Sequence, residues 1–91
     1  MTIRPFTRAL RAQGFELEFR DRSGGTTVTQ FKRRAGLREL HVQLWGSGYH
    51  RVSHGTHTRY GLHECTTPTE FKTVPEMILA IKYEWLRASG S

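Results

Sequence analysis

Alternating apolar and polar residues, separated by glycine turns, most constrain what this chain can fold into. FELEFR, at residues 15–20, and RELHVQLW, at residues 38–45, both alternate strictly. Because successive side chains of a strand point to opposite faces, this alternation predicts strands with one buried face. The apolar side chains predicted to lie on that face are Phe15, Leu17, Phe19, Leu40, Val42 and Leu44.

Glycine-containing turns predict which strands pair. The turn at residues 21–25 precedes TTVTQF at residues 26–31, and the turn at residues 46–48 joins RELHVQLW to YHRVSH at residues 49–54. Both are hairpin signals. KRRAG, at residues 32–36, is predicted to be a basic loop. RYGLHEC, at residues 59–65, is predicted to be one more short strand, weakened by its glycine.

Two helices are predicted, one at each end of the chain. Pro5 and the apolar spacing that follows it indicate a short helix over residues 5–13. Thr73 and Glu76 have the spacing of a capping box, which predicts a longer helix from Thr73 to about Arg87. Glu84 is predicted to lie on its polar side, together with Glu76, Ala80 and Arg87. The apolar stripe is broad because Leu79, Tyr83 and Leu86 extend it, which indicates a second helix or a second subunit beside it.

These elements predict a single α+β domain over residues 1–88, followed by a flexible tail at residues 89–91. An antiparallel sheet of four to five strands packs against the long C-terminal helix, with the short helix at the N-terminus. One cysteine and the absence of a long apolar run are typical of a soluble cytoplasmic protein that does not contact a membrane. An exposed sheet edge makes a homodimer one expected assembly.

The net charge of +6 is unevenly distributed. The first 38 residues hold nine basic and three acidic residues, whereas the remainder holds five of each. Such an excess attracts phosphate backbones or an acidic protein surface, and it is also typical of a solubilising face. The predicted contact residues for nucleic acid or an acidic host protein are Arg20, Arg22, Lys32, Arg33 and Arg34. Trp45 and Tyr49 could stack on unpaired bases.

HRVSHGTHTRYGLHEC, at residues 50–65, contains four of the five histidines and the only cysteine. One interpretation is a metal site formed by His54, His57, His63 and Cys65, although their spacing is not that of a zinc finger. A second is metal-independent RNA cleavage, with His54 and His57 as acid and base beside Arg59. A third places His50, Val52 and His54 on one strand face, with Cys65 in the core. We favour the third, and no cofactor is predicted.

Two resemblances suggest functions. LRAQGFELEF, at residues 10–19, and GTH, at residues 55–57, are similar to segments of small toxin ribonucleases that resemble double-stranded-RNA-binding domains. That similarity implies RNA cleavage. In those proteins the glycine-[serine/threonine]-histidine motif follows the first strand almost directly, whereas GTH here lies about forty residues after it.

LHVQLWGSGYHRVSH, followed by TTPTEFKTVPEMILAIKYE, resembles the C-terminal half of small uncharacterised proteins encoded by phages and prophages. The resemblance covers about half of the chain and implies a small accessory protein in a bacterial host cell. Such proteins act by stoichiometric binding, in some cases as inhibitors of a host defence complex, as anti-CRISPR proteins do. The sequence therefore favours binding through a basic N-terminal surface over catalysis.

Overall fold

A computed structural model describes residues 3–64 and 67–90 as an α+β fold, as the sequence predicts. Two helices flank six strands in chain order. The elements are α1 (Arg4–Ala12), β1 (Glu16–Ser23), β2 (Thr26–Ala35), β3 (Arg38–Trp45), β4 (His50–Thr58), β5 (Gly61–Glu64), β6 (Thr69–Phe71) and α2 (Val74–Gly90). The predicted sheet is confirmed, and β6 is an additional short strand that the sequence analysis did not identify.

All neighbouring strands are antiparallel, in the order β1-β2-β3-β4-β5. The outer edge of β4 is shared by two short strands. β5 pairs with its second half, and β6 pairs with His50, Arg51 and Val52. α2 packs against β3, β4 and β6, so one face of the sheet is covered, which we call the helix face. We call the opposite side the open face.

The core lies between the helix face and the two helices. Strand positions two residues apart supply its central side chains, because alternate residues of a strand share a face. Phe31, Val42 and Val52 lie opposite one another on β2, β3 and β4. The buried side chains around them include Phe6, Leu10, Phe15, Leu40, Leu44, Phe71, Met77 and Ile81.

The N-terminal helix is confirmed, and it leads directly into the sheet. Pro5 lies in the first turn of α1, where the missing N–H of proline costs no helical hydrogen bond. Phe6 and Leu10 are its buried residues. Gly14 follows with φ of 85°, a backbone conformation that favours glycine, and it turns the chain into β1.

The C-terminal helix begins with the predicted capping box. The Thr73 N–H donates to Glu76 Oε1 at 3.0 Å, and the Glu76 N–H donates to Thr73 Oγ1 at 3.3 Å. The helix continues to Gly90, beyond the predicted end at Arg87 and into the segment predicted to be a tail. Ser91 lies outside the described residues.

The prediction of which α2 side chains are buried is wrong in two respects. Glu84 was expected on the polar side but is fully buried, because β4 and β6 supply polar partners for its carboxylate. Ala80 is buried as well. Conversely, three residues expected to widen the buried stripe are exposed, because the sheet and α1 cover only one side of the helix; they are Leu79, Tyr83 and Leu86.

Two predictions about the first hairpin are also wrong. A β-bulge between Leu17 and Phe19 shifts the register, so Leu17 pairs with Phe31 on the helix face and Phe19 pairs with Gln30 on the open face. KRRAG, at residues 32–36, is not a loop. Its first four residues complete β2, because β3 pairs with all four of them and β1 also pairs with Lys32.

Candidate functional site

Three of the predicted contact residues are held by partners within the chain. Lys32 Nζ lies 3.4 Å from Glu18 Oε2, and Arg34 Nε donates to the Gly36 carbonyl at 3.0 Å. Arg33 donates through Nη1 to the Gln13 carbonyl at 2.9 Å. Its guanidinium also stacks over the rings of Phe15 and Trp85. Since β2 alternates, Arg33 lies on the helix face while Lys32 and Arg34 lie on the open face.

Arg20 and Arg22 have a different setting. They lie opposite Thr29 and Thr27 on β2, which places both side chains on the helix face. Both are exposed, as is nearly half of the Leu17 side chain on the same face, because the helices do not cover β1. This uncovered strip of β1 adjoins the C-terminal end of α1 through Gly14.

The exposed side of α1 adds two more cations. Arg8 and Arg11 are one helical turn apart, so their side chains lie on the same side of the helix, and both are exposed. We refer to Arg8, Arg11, Arg20 and Arg22 as the basic ledge. No ion pair involves any of these four side chains among the residues that the structure describes.

Opposite charges are concentrated on opposite faces of the molecule. Strand register and side-chain contacts place six of the eight acidic residues on the open face, namely Glu16, Glu18, Asp21, Glu39, Glu64 and Glu70. Three basic residues share that face, namely Lys32, Arg34 and Arg51. The helix side carries the basic ledge and only two acids, Glu76 and the buried Glu84. The excess positive charge therefore lies on the helix side.

The two predicted stacking residues lie away from the basic ledge. Trp45 is on the open face, where its indole Nε1 donates to Gln43 Oε1 at 3.3 Å and Arg51 lies 5.8 Å from its ring centroid. Tyr49 is exposed between β3 and β4. The fold thus separates the aromatic candidates from Arg20 and Arg22.

The histidines of residues 50–63 divide between the two faces, as the sequence analysis favoured. His50, Val52 and His54 lie on the helix face, whereas His57 lies on the open face because it is three residues from His54 along one strand. The predicted acid and base pair therefore does not converge. His63 is exposed and pairs with Thr56 on the helix-face side of β5. The fourth predicted metal ligand, Cys65, lies outside the described residues.

His54 belongs to a buried polar network beneath α2. Its Nδ1 lies 2.5 Å from Glu84 Oε2. The second oxygen, Oε1, accepts hydrogen bonds from Thr69 Oγ1 at 2.6 Å and Arg87 Nη1 at 3.1 Å. This network joins α2 to β4 and β6, and we infer a structural role for it.

His50 is also buried, between the rings of Phe6 and Phe71. Its Nδ1 accepts a hydrogen bond from the Trp45 N–H at 3.1 Å, so the proton of the neutral ring is on Nε2. Nε2 has no hydrogen-bond partner among the described residues. Burial lowers the pKa of His50 below its ordinary value of 6.5 because it disfavours the charged imidazolium.

A second polar cluster, on the open face, was not predicted as a site. His57 Nε2 lies 2.8 Å from Glu39 Oε2, and His41 Nε2 lies 3.8 Å from the same oxygen. One carboxylate oxygen of Glu18 is close enough that donor atoms of Glu18, Glu39 and His41 all lie within 4.8 Å of one another. We call Glu18, Glu39, His41 and His57 the glutamate-histidine cluster. Among its members, Glu39 and His41 are buried.

The cluster is extended by hydrogen bonds across three strands. Gln43 Nε2 donates to Gln30 Oε1 at 2.7 Å, and Gln30 Nε2 donates to Glu18 Oε1 at 2.6 Å. Glu64 Oε1 lies 3.6 Å from His41 Nδ1. Carboxylates paired with imidazoles can transfer protons or bind a transition-metal ion. The sequence signal was the polar half of RELHVQLW, but alternation alone does not show that Glu39 and His41 are buried.

No protein-family model, curated protein or solved structure matches this chain. Within residues 3–64 and 67–90, no helix has both the length and the apolar character needed to cross a membrane.

Proposed function

We propose that this protein binds duplex nucleic acid through the basic ledge and acts stoichiometrically rather than catalytically. The segregation of charge carries the proposal, since the open face holds six of the acidic residues while the ledge presents exposed arginines. A phosphate backbone approaching the helix side would meet cations without the acids of the open face close by. Arginine can also form bidentate hydrogen bonds with phosphate.

The availability of the ledge side chains supports the same proposal. Lys32, Arg33 and Arg34 would each give up an intramolecular contact to reach a phosphate. Arg20 and Arg22 would give up no described ion pair, and their positions two residues apart on one strand put their Cα atoms about 6.6 Å apart on the same face. We therefore assign the leading role to Arg20 and Arg22, with Arg8 and Arg11 extending the contact along α1.

The separation of aromatic residues from the ledge favours a duplex over a single strand. Binding of single strands combines a basic groove with aromatic rings on which unpaired bases stack. Trp45 is on the open face and engaged with Gln43, so it is poorly placed to assist the ledge. The phage resemblance supports a stoichiometric accessory role, for which nucleic acid is the target we propose.

Fluorescence anisotropy with short labelled DNA and RNA duplexes tests the proposal, at low salt and at near-physiological salt. The double variant Arg20→Glu/Arg22→Glu should abolish binding, and the wild-type affinity should fall steeply between the two salt concentrations. The matched control is Arg59→Glu/Lys72→Glu, which changes the net charge equally. Both control residues are exposed and lie beyond the opposite edge of the sheet.

Three results would contradict the proposal. Wild-type protein that does not bind either duplex, an affinity that does not change with salt, or equal losses in the two double variants would each exclude a specific role for the ledge. If the duplexes are not bound and an acidic host protein is captured instead through Arg20 and Arg22, the ledge binds protein rather than nucleic acid.

A further inference from the structure

We propose that the glutamate-histidine cluster binds one divalent transition-metal ion, with Zn²⁺ as the preferred probe. Glu18 and Glu39 would each contribute a carboxylate oxygen and His41 would contribute Nε2, while His57 would hold Glu39 in place through its 2.8 Å contact with Oε2. An imidazole together with two carboxylates forms a donor set that suits zinc and other first-row divalent ions better than Mg²⁺ or Ca²⁺, which prefer oxygen ligands alone. This site is on the open face and does not depend on the basic ledge.

The distances around Glu39 support coordination. Its Oε2 atom is 2.8 Å from His57 Nε2 and 3.8 Å from His41 Nε2. Ligand atoms bound to zinc at about 2.0–2.1 Å in tetrahedral geometry are separated by about 3.3 Å. The 3.8 Å separation between Glu39 and His41 is close to that value, and donor atoms of Glu18, Glu39 and His41 already lie within 4.8 Å of one another.

His41 provides a second, independent observation. Its side chain is more than nine-tenths buried, and each of its ring nitrogens faces a carboxylate at ion-pair distance rather than at hydrogen-bond distance. The nearest acceptors, on Glu39 and Glu64, are 3.8 Å and 3.6 Å away. An imidazole aimed between two carboxylates at these distances has the arrangement expected of a ligand to an ion.

The position of Glu64 fits the same role. It faces Nδ1 of His41, while Nε2 faces Glu39. Histidine ligands usually donate their second ring N–H to a carboxylate or carbonyl group, which fixes the tautomer and the orientation of the ring. Glu64 is thus placed to orient His41 without binding the ion itself.

The charge of the cluster also favours a cation. Glu39 is buried, and its described ionic partners are His41 and His57. Buried charges in proteins are paired with other charges or coordinate metal ions. A divalent ion would supply permanent charge to Glu39 and Glu18. In exchange Glu18 would lose its contact with Lys32, while Gln30 would continue to donate to its other oxygen.

Isothermal titration of untagged, chelator-treated protein with Zn²⁺ tests this proposal, together with thermal melting and the visible spectrum of the Co²⁺-loaded protein. Wild-type protein should bind one Zn²⁺ per chain and melt at a higher temperature with the ion. His57→Gln and Glu39→Gln should each lower the affinity more than tenfold. Glu64→Gln should lower it about tenfold, as expected for a positioning residue. His57 is only partly buried, so its variant should fold even if the Glu39 variant does not.

Two controls separate this site from the other candidate ligands. His63→Gln removes an exposed histidine on the opposite side of the sheet, and Cys65→Ser removes the only thiol. Both variants should bind Zn²⁺ as the wild type does, and the Co²⁺ spectrum should show no thiolate charge-transfer band. Absence of binding in the wild type, retention of full affinity by His57→Gln, or loss of binding in either control would overturn the proposal.

Discussion

Glu84 of α2 and His54 of β4 join the long helix to the middle of the sheet, with Glu84 Oε2 2.5 Å from His54 Nδ1. The glutamate is fully buried, and Thr69 and Arg87 occupy its second oxygen. Both carboxylate oxygens are therefore satisfied. Three structural elements depend on this one side chain.

Replacing Glu84 with alanine should destabilise the protein by about 3–5 kcal/mol, because it removes a fully buried carboxylate that pairs with His54 and accepts a hydrogen bond from Thr69. Equilibrium unfolding in urea would measure the loss. Glu70→Ala is the matched control, since Glu70 is an exposed glutamate on β6. That control should change the unfolding free energy by less than about 0.5 kcal/mol. A similarly small effect of Glu84→Ala would show that the network does not stabilise the fold.

The burial of Glu84 could not be read from the sequence of the helix. The residue is surrounded along the chain by a broad apolar stripe, so a helical pattern alone does not show which part of that stripe faces the sheet. The deciding partner, His54, is thirty residues away and becomes a neighbour only after β4 and α2 pack together. In contrast, the capping box at Thr73 is local in sequence, and it was predicted correctly.

The basic residues show a second reason why the sequence pattern did not predict the structure. Three consecutive charges in KRRAG are typical of a loop, but pairing of this segment with β3 overrides that local preference. Once the segment is a strand, its alternation separates Arg33 from Lys32 and Arg34. The bulge near Leu17 similarly places Phe19 on the open face, whereas alternation predicted it on the same face as Leu17. Glu39 and His41 were identified as the polar side of β3, but their burial depends on packing that the pattern does not encode.

Acidification should weaken the fold through His50. Burial lowers the pKa of this residue below 6.5 in the folded state, so the unfolded chain binds a proton more readily. The stabilisation that His50 contributes is therefore fully present above about pH 6.5. It is lost as the pH falls from there towards the lower pKa that His50 has in the folded state. The slope contributed by His50 can reach about 1.4 kcal/mol per pH unit in that window. Unfolding free energies measured from pH 7.5 to pH 5 would reveal it.

His50→Asn isolates this contribution. An asparagine oxygen can accept the Trp45 N–H in place of Nδ1, but the side chain does not titrate. The variant should be less stable at pH 7.5, since it fills less space between Phe6 and Phe71, and its stability should depend less on pH than that of the wild type. Identical pH slopes for the two proteins would show that His50 does not contribute.

A side chain at Gly55 should displace its neighbours on β5. It is buried in β4 opposite Glu39, and a Cβ atom there would lie 2.8 Å from Leu62 Cδ1 and 3.3 Å from the His63 carbonyl oxygen. Gly55→Ala should therefore cost about 1–3 kcal/mol by displacing Leu62 and straining β5. Leu62→Ala in the same chain should recover part of that loss, because it removes the closer contact. A double-mutant cycle in urea would measure the coupling, and strictly additive effects would contradict the predicted clash.

The salt dependence of nucleic-acid binding should report the number of ledge arginines in contact with phosphates. If all four are engaged, the logarithm of the binding constant should fall with the logarithm of salt concentration with a slope of about −3.6. Arg20→Ala should make the slope shallower by about one unit and weaken binding similarly for unrelated duplex sequences, since phosphate contacts carry no base information. Arg34→Ala is the control, because Arg34 lies on the open face and donates to Gly36. An unchanged slope in Arg20→Ala would exclude Arg20 from the interface.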